Sequence, residues 1–330
     1  MPLSAHLAYD YSDTVLSLLR AQLDPTISLT VGSSIPDGAN YHILINGRPR
    51  PEQLEISPNL HSLIIPWAGL PTGTRDLMQG YPHIAVYNLH HNAVPVAETV
   101  LMLLMAAAKR IIPADRNLRQ GDWTIRYVGP EHPDKGVLLA GKTALILGFG
   151  AIGQRVAALL QALDMRVMVT RRSLSEATQV GGIDQYPADS LHDLLPQAQA
   201  LIVTLPLTPL TEGLIAAEEL ALLPQDAIVI NIGRGPIIDE QALHDALATG
   251  QIYGAGIDVW YNYPPDEAAR GATLPSTAPF HNLDNIVMNP HRGGSSMDTD
   301  RLRMAHLADL LNTLSRTGSA ASRVDLSRGY

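Results

Sequence analysis

The stretch Gly148-Phe149-Gly150-Ala151-Ile152-Gly153 decides the fold of this 330-residue chain. It follows an apolar run typical of a buried strand, 144–147, and opens a run with helical spacing, 152–163. In this context the first glycine makes a tight turn, the second lets the backbone approach a pyrophosphate, and the third lets helix pack on strand. The helix N-terminus then offers free N–H groups to phosphates. The alternative is a glycine-rich turn without a ligand. We predict a dinucleotide site that includes Gly148, Gly150, Ala151, Ile152 and Gly153.

Strand and helix patterns alternate outward from this motif. Apolar runs at 166–170, 200–204, 227–232, 254–259 and 286–288 are separated by helical patterns at 191–195, 216–222 and 240–249. Such alternation predicts an α/β fold with a parallel, doubly wound Rossmann sheet. Four further strand-like runs, 27–31, 42–45, 60–65 and 83–87, and a helix at 13–23 with Asp13 as N-cap predict a smaller α/β unit before it. A long helix is expected at 96–112, ended by Pro113, and the tail from Ser315 is expected to be solvated.

Composition excludes several classes of protein. The chain has 23 basic and 32 acidic residues and a net charge of −9, which disfavours nucleic acid and anionic membranes as partners. It has no cysteine, so disulfides and thiolate chemistry are excluded. The most apolar stretch, 99–108, is half the roughly 20 residues that a membrane span needs. The N-terminus shows no signal-peptide pattern, so we expect a cytoplasmic location.

The end of the second strand of the dinucleotide unit indicates the cofactor. NAD sites carry an acidic residue there, which binds the ribose 2′-hydroxyl. This chain has Thr170, Arg171 and Arg172 instead. Guanidinium groups bind a 2′-phosphate well, so we predict NADP(H) in preference to NAD(H). The alternative is that both arginines belong to an ordinary solvated loop.

Five further motifs follow in order along the chain. They are Val96-Ala97-Glu98 with Asn88 before it, Leu205-Pro206-Leu207-Thr208 with Thr211, the run Asn231-Ile232-Gly233-Arg234-Gly235 continuing to Asp239, Gly256-Ile257-Asp258-Val259, and Asn289-Pro290-His291. Together they resemble the D-isomer-specific 2-hydroxyacid dehydrogenases, of the glyoxylate/hydroxypyruvate reductase kind. The resemblance implies a Rossmann domain, 94–299, inserted into a smaller flavodoxin-like substrate domain, 1–93 plus 300–330, with closure of a cleft and a homodimer. It also implies cofactor contacts from Leu205, Pro206, Thr211, Ile232, Gly233 and Asp258.

Arg234 and His291 are the candidate catalytic residues. Each directly follows a predicted strand, at the edge of the sheet where doubly wound folds bind ligands. The planar guanidinium of Arg234 suits a carboxylate, and an imidazole suits general acid/base work near neutral pH. A surface ion pair for Arg234 and an ordinary loop histidine for His291 are the alternatives. For the neighbouring pair His90-His91 no third ligand is suitably spaced, so we expect no metal.

Tyr263 occupies the position where the resembled family has a glutamate that assists the histidine. A phenol is neutral at pH 7, so it can orient His291 but cannot stabilise an imidazolium as a carboxylate does. Two other outcomes stay open: Asp266 or Glu267 assists instead, or hydride transfer is weak or lost.

The N-terminal part of the chain contains fewer candidate substrate contacts than the part that carries Arg234 and His291. Ala68, Gly69 and Leu70 resemble the family's loop whose backbone N–H groups hold the substrate carboxylate. Trp67 before them either contacts the substrate or fills the core.

The sequence therefore predicts an NADP(H)-dependent enzyme that reduces a small 2-oxo acid to a D-2-hydroxy acid, with glyoxylate or hydroxypyruvate as the expected class. One alternative is a catalytically weak or inactive dinucleotide-binding regulatory protein. Another is a dehydrogenase with an unrelated substrate.

Overall fold

The computed structural model describes residues 3–132 and 134–327. They form two compact units, a terminal unit of Met1–Asn92 with Ser295–Tyr330 and a central unit of Ala93–Gly294.

The helices and strands are numbered in chain order. The strands are β1 (Ser4–Leu7), β2 (Ser28–Val31), β3 (Ile43–Ile45), β4 (Ser62–Ile65), β5 (Ala85–Asn88), β6 (Thr143–Leu147), β7 (Arg166–Arg171), β8 (Thr178–Val180), β9 (Ile183–Pro187), β10 (Ala200–Val203), β11 (Ile228–Asn231), β12 (Gly254–Ile257) and β13 (Ile286–Met288). The helices are α1 (Asp13–Arg20), α2 (Pro51–Glu55), α3 (Thr72–Met78), α4 (Ala93–Ala108), α5 (Ile111–Leu118), α6 (Ala151–Ala162), α7 (Leu191–Leu194), α8 (Ala217–Leu222), α9 (Glu240–Ala248) and α10 (Thr299–Thr317).

The terminal unit is built on a five-stranded parallel sheet in the order β2-β1-β3-β4-β5. This is the flavodoxin-like order, which confirms the predicted fold of the smaller unit. Helices α1 and α10 pack on one face of it through Leu16, Leu19, Leu307 and Leu311. The N-cap of α1 is Ser12, whose hydroxyl accepts from the Val15 N–H, so the prediction of Asp13 as N-cap was wrong.

The C-terminal tail is not solvated throughout, which corrects the prediction for residues after Ser315. Helix α10 continues to Thr317, and beyond it the Val324 N–H donates to the Val86 carbonyl at 2.8 Å. Val324 is buried. The physical reason is that β5 is the edge strand of its sheet, and an edge leaves backbone groups that a passing segment can pair.

The central unit contains an eight-stranded sheet in the order β13-β12-β11-β10-β6-β7-β9-β8. All neighbours are parallel except β8 and β9, which pair antiparallel. The predicted doubly wound Rossmann sheet is thus confirmed, although β8 and β9 were not foreseen. The strand order reverses between β6 and β10, and such a switch point opens a crevice at the carboxyl ends of the strands.

The long helix expected at 96–112 is two helices. Helix α4 ends at Ala108, and Arg110 adopts a left-handed conformation with φ 50° before α5 begins. Pro113 lies in the first turn of α5, where a missing N–H is tolerated, so Pro113 does not end the helix. Helix α4 lies close to the sheet, since a Cβ on Gly256 of β12 would stand 2.7 Å from the Leu103 Cβ. No helix in the described ranges is long and apolar enough to cross a membrane.

Candidate active site

The glycine motif connects β6 to α6. Gly148 has φ 93°, which favours glycine, and a Cβ on Gly153 would stand 2.4 Å from the Gly148 carbonyl oxygen. These two glycines are therefore required by the turn and by helix packing. A Cβ on Gly150, the N-cap of α6, would meet no protein atom within 4 Å. The backbone there, followed by Ala151 and Ile152 in the first helical turn, faces open space, which fits a pyrophosphate at a helix N-terminus.

The end of β7 carries the predicted cofactor-selecting residues. Thr170 is buried, Arg171 is half-buried and Arg172 is exposed. Arg171 donates from Nη1 to the Gln185 Oε1 at 2.9 Å, and its guanidinium carbon lies 5.7 Å from the centroid of the Phe149 ring. Gln185 was not predicted as a site residue, because β9, on which this buried side chain lies, was not predicted.

The loop after β10 is closed by its own side chains. The Thr211 hydroxyl donates to the Pro206 carbonyl at 2.7 Å and accepts from the Thr208 N–H at 2.8 Å. A Cβ on Gly233 would stand 2.5 Å from the Leu205 carbonyl oxygen, so this loop lies directly against the segment after β11. Ile232, before that glycine, is buried.

Arg234 is exposed, but its backbone is fixed on both sides. A Cβ on Gly235 would stand 2.4 Å from the Trp260 carbonyl oxygen, so only glycine permits this close approach. The Asn231 amide donates to the Arg234 carbonyl at 3.0 Å. The two glycines that flank Arg234 thus bring it against the segments that follow β10 and β12.

His291 and Tyr263 are hydrogen-bonded to each other. The Tyr263 hydroxyl lies 2.8 Å from the His291 Nδ1, and it also accepts from the Trp260 N–H at 3.1 Å. With a lone pair engaged by Trp260, the hydroxyl can donate its proton to Nδ1. A neutral His291 that accepts this bond carries its proton on Nε2. His291 has φ 50°, a conformation uncommon for a residue with a side chain.

Asp258 fixes the loop that carries His291. One carboxylate oxygen accepts from the Asn289 amide at 2.6 Å and from the Arg292 N–H at 3.0 Å, and the other accepts from the Gly293 N–H at 3.0 Å. Asp258 is 3% exposed. The Trp260 indole N–H adds a further bond to the Asn289 carbonyl at 2.8 Å. Asp258 was predicted only as a cofactor contact, and no role was predicted for Trp260.

Burial and neighbouring groups shift the pKa values of both His291 and Tyr263. Desolvation lowers the pKa of His291, the charge of Arg234 lowers it further, and the Asp258 carboxylate partly opposes both. Desolvation raises the pKa of Tyr263, while the Trp260 N–H and Arg234 oppose that rise. The phenol is therefore neutral at neutral pH, and His291 loses its proton below the usual 6.5.

Asp266 and Glu267, the alternative partners of the histidine, are engaged elsewhere. The Asp266 carboxylate accepts from the Ala269 N–H at 2.9 Å, and Glu267 pairs with Arg270 at 2.6 Å. Both contacts join the side chain to the turn Ala268–Gly271 that directly follows it. It is Tyr263 that bonds His291 in this structure.

In the terminal unit the loop Ala68, Gly69 and Leu70 follows β4. The Asn88 amide donates to the Ala68 carbonyl at 2.6 Å. Trp67 packs closely on Gly47, where a Cβ would stand 2.0 Å from its ring, and lies edge-on to Tyr9. Trp67 thus fills part of the core of this unit.

Comparison with known proteins agrees with a dehydrogenase built on this fold. Residues 101–293 match the family model described as D-isomer specific 2-hydroxyacid dehydrogenase, NAD binding domain. The chain is 32% identical to glyoxylate/hydroxypyruvate reductase B of Pectobacterium carotovorum over 85% of this chain and 86% of that protein. The chain belongs to the D-isomer-specific 2-hydroxyacid dehydrogenase family.

Other relatives match part of their length. The chain is 39% identical to glyoxylate reductase of Aeropyrum pernix over 64% of this chain, and it spans 60% of that protein and 42% of another curated relative.

A D-isomer specific 2-hydroxyacid dehydrogenase from Xanthobacter autotrophicus Py2, solved with NADPH and MES, is 26% identical, with a TM-score of 0.78 and full coverage of both chains.

Proposed function

We propose that this protein is an NADPH-dependent reductase that converts a small 2-oxo acid to a D-2-hydroxy acid. The observation that carries the proposal is the hydrogen-bonded pair Tyr263–His291, held next to the charge of Arg234 at the carboxyl edge of a Rossmann sheet. A cation and a proton donor are the two groups that carbonyl reduction requires from the protein.

Each of these residues has a separate role. Arg234 binds the substrate carboxylate and polarises the carbonyl, since a guanidinium matches a carboxylate geometrically. Protonated His291 gives the proton from Nε2 to the carbonyl oxygen as the C–H bond forms. Tyr263 orients the imidazole through Nδ1. Backbone N–H groups of Ala68, Gly69 and Leu70 hold the substrate carboxylate.

The cofactor is held by the central unit. Gly148, Gly150 and Gly153 with the N-terminus of α6 bind the pyrophosphate, and Thr170, Arg171 and Arg172 bind the 2′-phosphate. The remaining contacts come from Ala151, Ile152, Leu205, Pro206, Thr211, Ile232, Gly233 and Asp258. When bound, NADPH supplies the hydride. The NADPH complex of the Xanthobacter relative supports this choice.

The names of two relatives support the proposed substrate class. Two of them are named as reductases of glyoxylate or of glyoxylate and hydroxypyruvate, so these acids are the proposed substrates. We also place the protein in the cytoplasm.

The proposed homodimer is supported by exposed apolar side chains of the central unit. They are Ile111, Ile112, Leu118, Trp123 and Tyr127. All five lie within residues 111–127, and a dimer that covered them would remove their apolar surface from water. Sedimentation should therefore give twice the monomer mass, and a charge introduced by Ile112→Glu should lower it.

The test is oxidation of NADPH and of NADH with glyoxylate, hydroxypyruvate, pyruvate and phenylpyruvate between pH 5.5 and 9. Arg171→Gln should raise the KM for NADPH about tenfold, the scale of one charge-assisted hydrogen bond. Arg155→Gln, an exposed arginine on α6, is the matched control. Tight NADPH binding without turnover of any acid would instead favour the regulatory alternative.

A further inference from the structure

Above acidic pH little His291 is protonated, so the site has little general acid. The group bonded to the His291 Nδ1 is a neutral phenol. Among the described residues, the carboxylate that acts on His291 is Asp258, which already accepts three hydrogen bonds from the loop that carries His291. Arg234 adds a positive charge. At neutral pH His291 is therefore mostly an uncharged imidazole.

An uncharged imidazole limits the reduction of a C=O bond but not that of a C=N bond. Hydride addition to a carbonyl creates an alkoxide, which needs a proton as it forms. An iminium nitrogen already carries its proton, so hydride addition yields a neutral amine with no proton transfer from the protein. The carboxylate of such a substrate presents the same group to Arg234 as a 2-oxo acid does.

We propose that the same site also reduces 2-imino acids, the condensation products of 2-oxo acids with ammonia or a primary amine. The inference rests on the proposed NADPH-dependent function. The imine carbon gains a hydride from the nicotinamide, the C=N π pair moves to nitrogen, and the product is a 2-amino acid. NADPH is oxidised to NADP⁺, and the free amine then takes a proton from water.

The hydrogen bonds of Tyr263 suit this reaction. In the other neutral tautomer of His291, which carries its proton on Nδ1, the two lone pairs of the Tyr263 hydroxyl accept from the Trp260 N–H and from Nδ1–H together. His291 then presents a bare Nε2, which accepts from the iminium N–H. A carboxylate at the position of Tyr263 would keep the imidazole protonated and positively charged, and that charge would repel the iminium.

The first experiment measures NADPH oxidation by the full chain with pyruvate at pH 8.5, in methylamine and in an equal ionic strength of sodium chloride. We expect a rate at least tenfold higher with methylamine and N-methylalanine as the product by mass spectrometry. Without amine, reduction of pyruvate should fall as pH rises, whereas the amine-dependent rate should not fall between pH 7 and 8.5.

The second experiment exchanges the phenol. Tyr263→Glu should raise oxo-acid reduction at pH 7.5 about tenfold and lower the amine-dependent rate by a similar factor, because a carboxylate raises the pKa of His291. Tyr263→Phe, which keeps the ring, should raise neither activity. Independently of turnover, the ¹⁵N shifts of His291, assigned with His291→Gln, should titrate at higher pH in Tyr263→Glu.

The outcomes separate the two proposals. Oxo-acid reduction with no amine-dependent product would overturn the imine activity and leave the proposed function in place. No NADPH oxidation with any acid, with or without amine and between pH 5.5 and 9, would overturn both.

Discussion

Two histidines occupy equivalent places in the two units. His91 and His291 each lie three residues beyond the end of an edge strand, β5 in the terminal unit and β13 in the central unit. Desolvation is the largest cause of a lowered pKa at both, followed by the charge of an arginine, Arg303 for His91 and Arg234 for His291. Position in the fold and direction of the pKa shift therefore do not distinguish them.

Their surroundings do distinguish them. His91 is 9% exposed, its pKa is lowered to about 4, and within the described residues its Nδ1 has no hydrogen-bond partner. His291 is exposed, and its Nδ1 is bonded to a phenol that a backbone N–H fixes in turn. The protonation of a buried histidine is coupled to folding, whereas an exposed histidine with an oriented ring nitrogen can meet a substrate.

The largest expected effect is a loss of kcat that distinguishes His291 from His91. His291→Gln should lower kcat for 2-oxo acid reduction by about 10²- to 10⁴-fold, the usual contribution of a general acid, with little change in the free energy of unfolding. His91→Gln should leave kcat within about threefold of the wild type. Steady-state kinetics with urea unfolding of both variants makes the comparison. Equal losses of kcat would show that the histidines are not functionally distinct.

A smaller effect concerns stability in acid. Because the pKa of His91 is lower in the folded chain than in the unfolded one, the folded state binds fewer protons. The contribution of neutral His91 to the free energy of unfolding is therefore fully present above pH 6.5. It is lost as pH falls towards 4, by up to about 3 kcal/mol for this side chain. Urea unfolding at pH 7.5, 5.5 and 4.5 should show this loss, and His91→Gln should reduce it. An exposed control in the same unit, His83→Gln, should retain the full pH dependence.

The smallest expected effect tests how the His291 loop is held. Asp258→Asn removes an acceptor from a buried cluster of N–H donors, which should cost about 1–3 kcal/mol of the free energy of unfolding. Asp226→Asn, which breaks a partly exposed ion pair with Lys142, should cost about 0–1 kcal/mol. Thermal and urea unfolding of both variants measures the difference. Equal costs would show that the three bonds to Asp258 do not stabilise the loop.

Much of the fold was predictable because it depends on local patterns. The glycine motif, the apolar strands of the central sheet and the flanking helical patterns identified the Rossmann sheet, since each pattern reports burial along a single element. Strands β8 and β9 were missed because they form an edge hairpin whose β8 residues are all exposed. The division of the long helix was missed because it depends on a left-handed Arg110 that no local pattern indicates.

The amino-acid sequence was sufficient to predict the family, the candidate residues Arg234 and His291, and a site without a carboxylate at position 263. Only the tertiary structure decided that Tyr263, rather than Asp266 or Glu267, bonds His291, and that Asp258 holds the histidine loop. The physical reason is that sequence motifs involve neighbouring residues, whereas tertiary contacts join residues far apart in the chain. Motifs record which residue types follow one another, but hydrogen bonds between loops after β12 and β13 join residues about thirty positions apart, and the sheet alone brings them together.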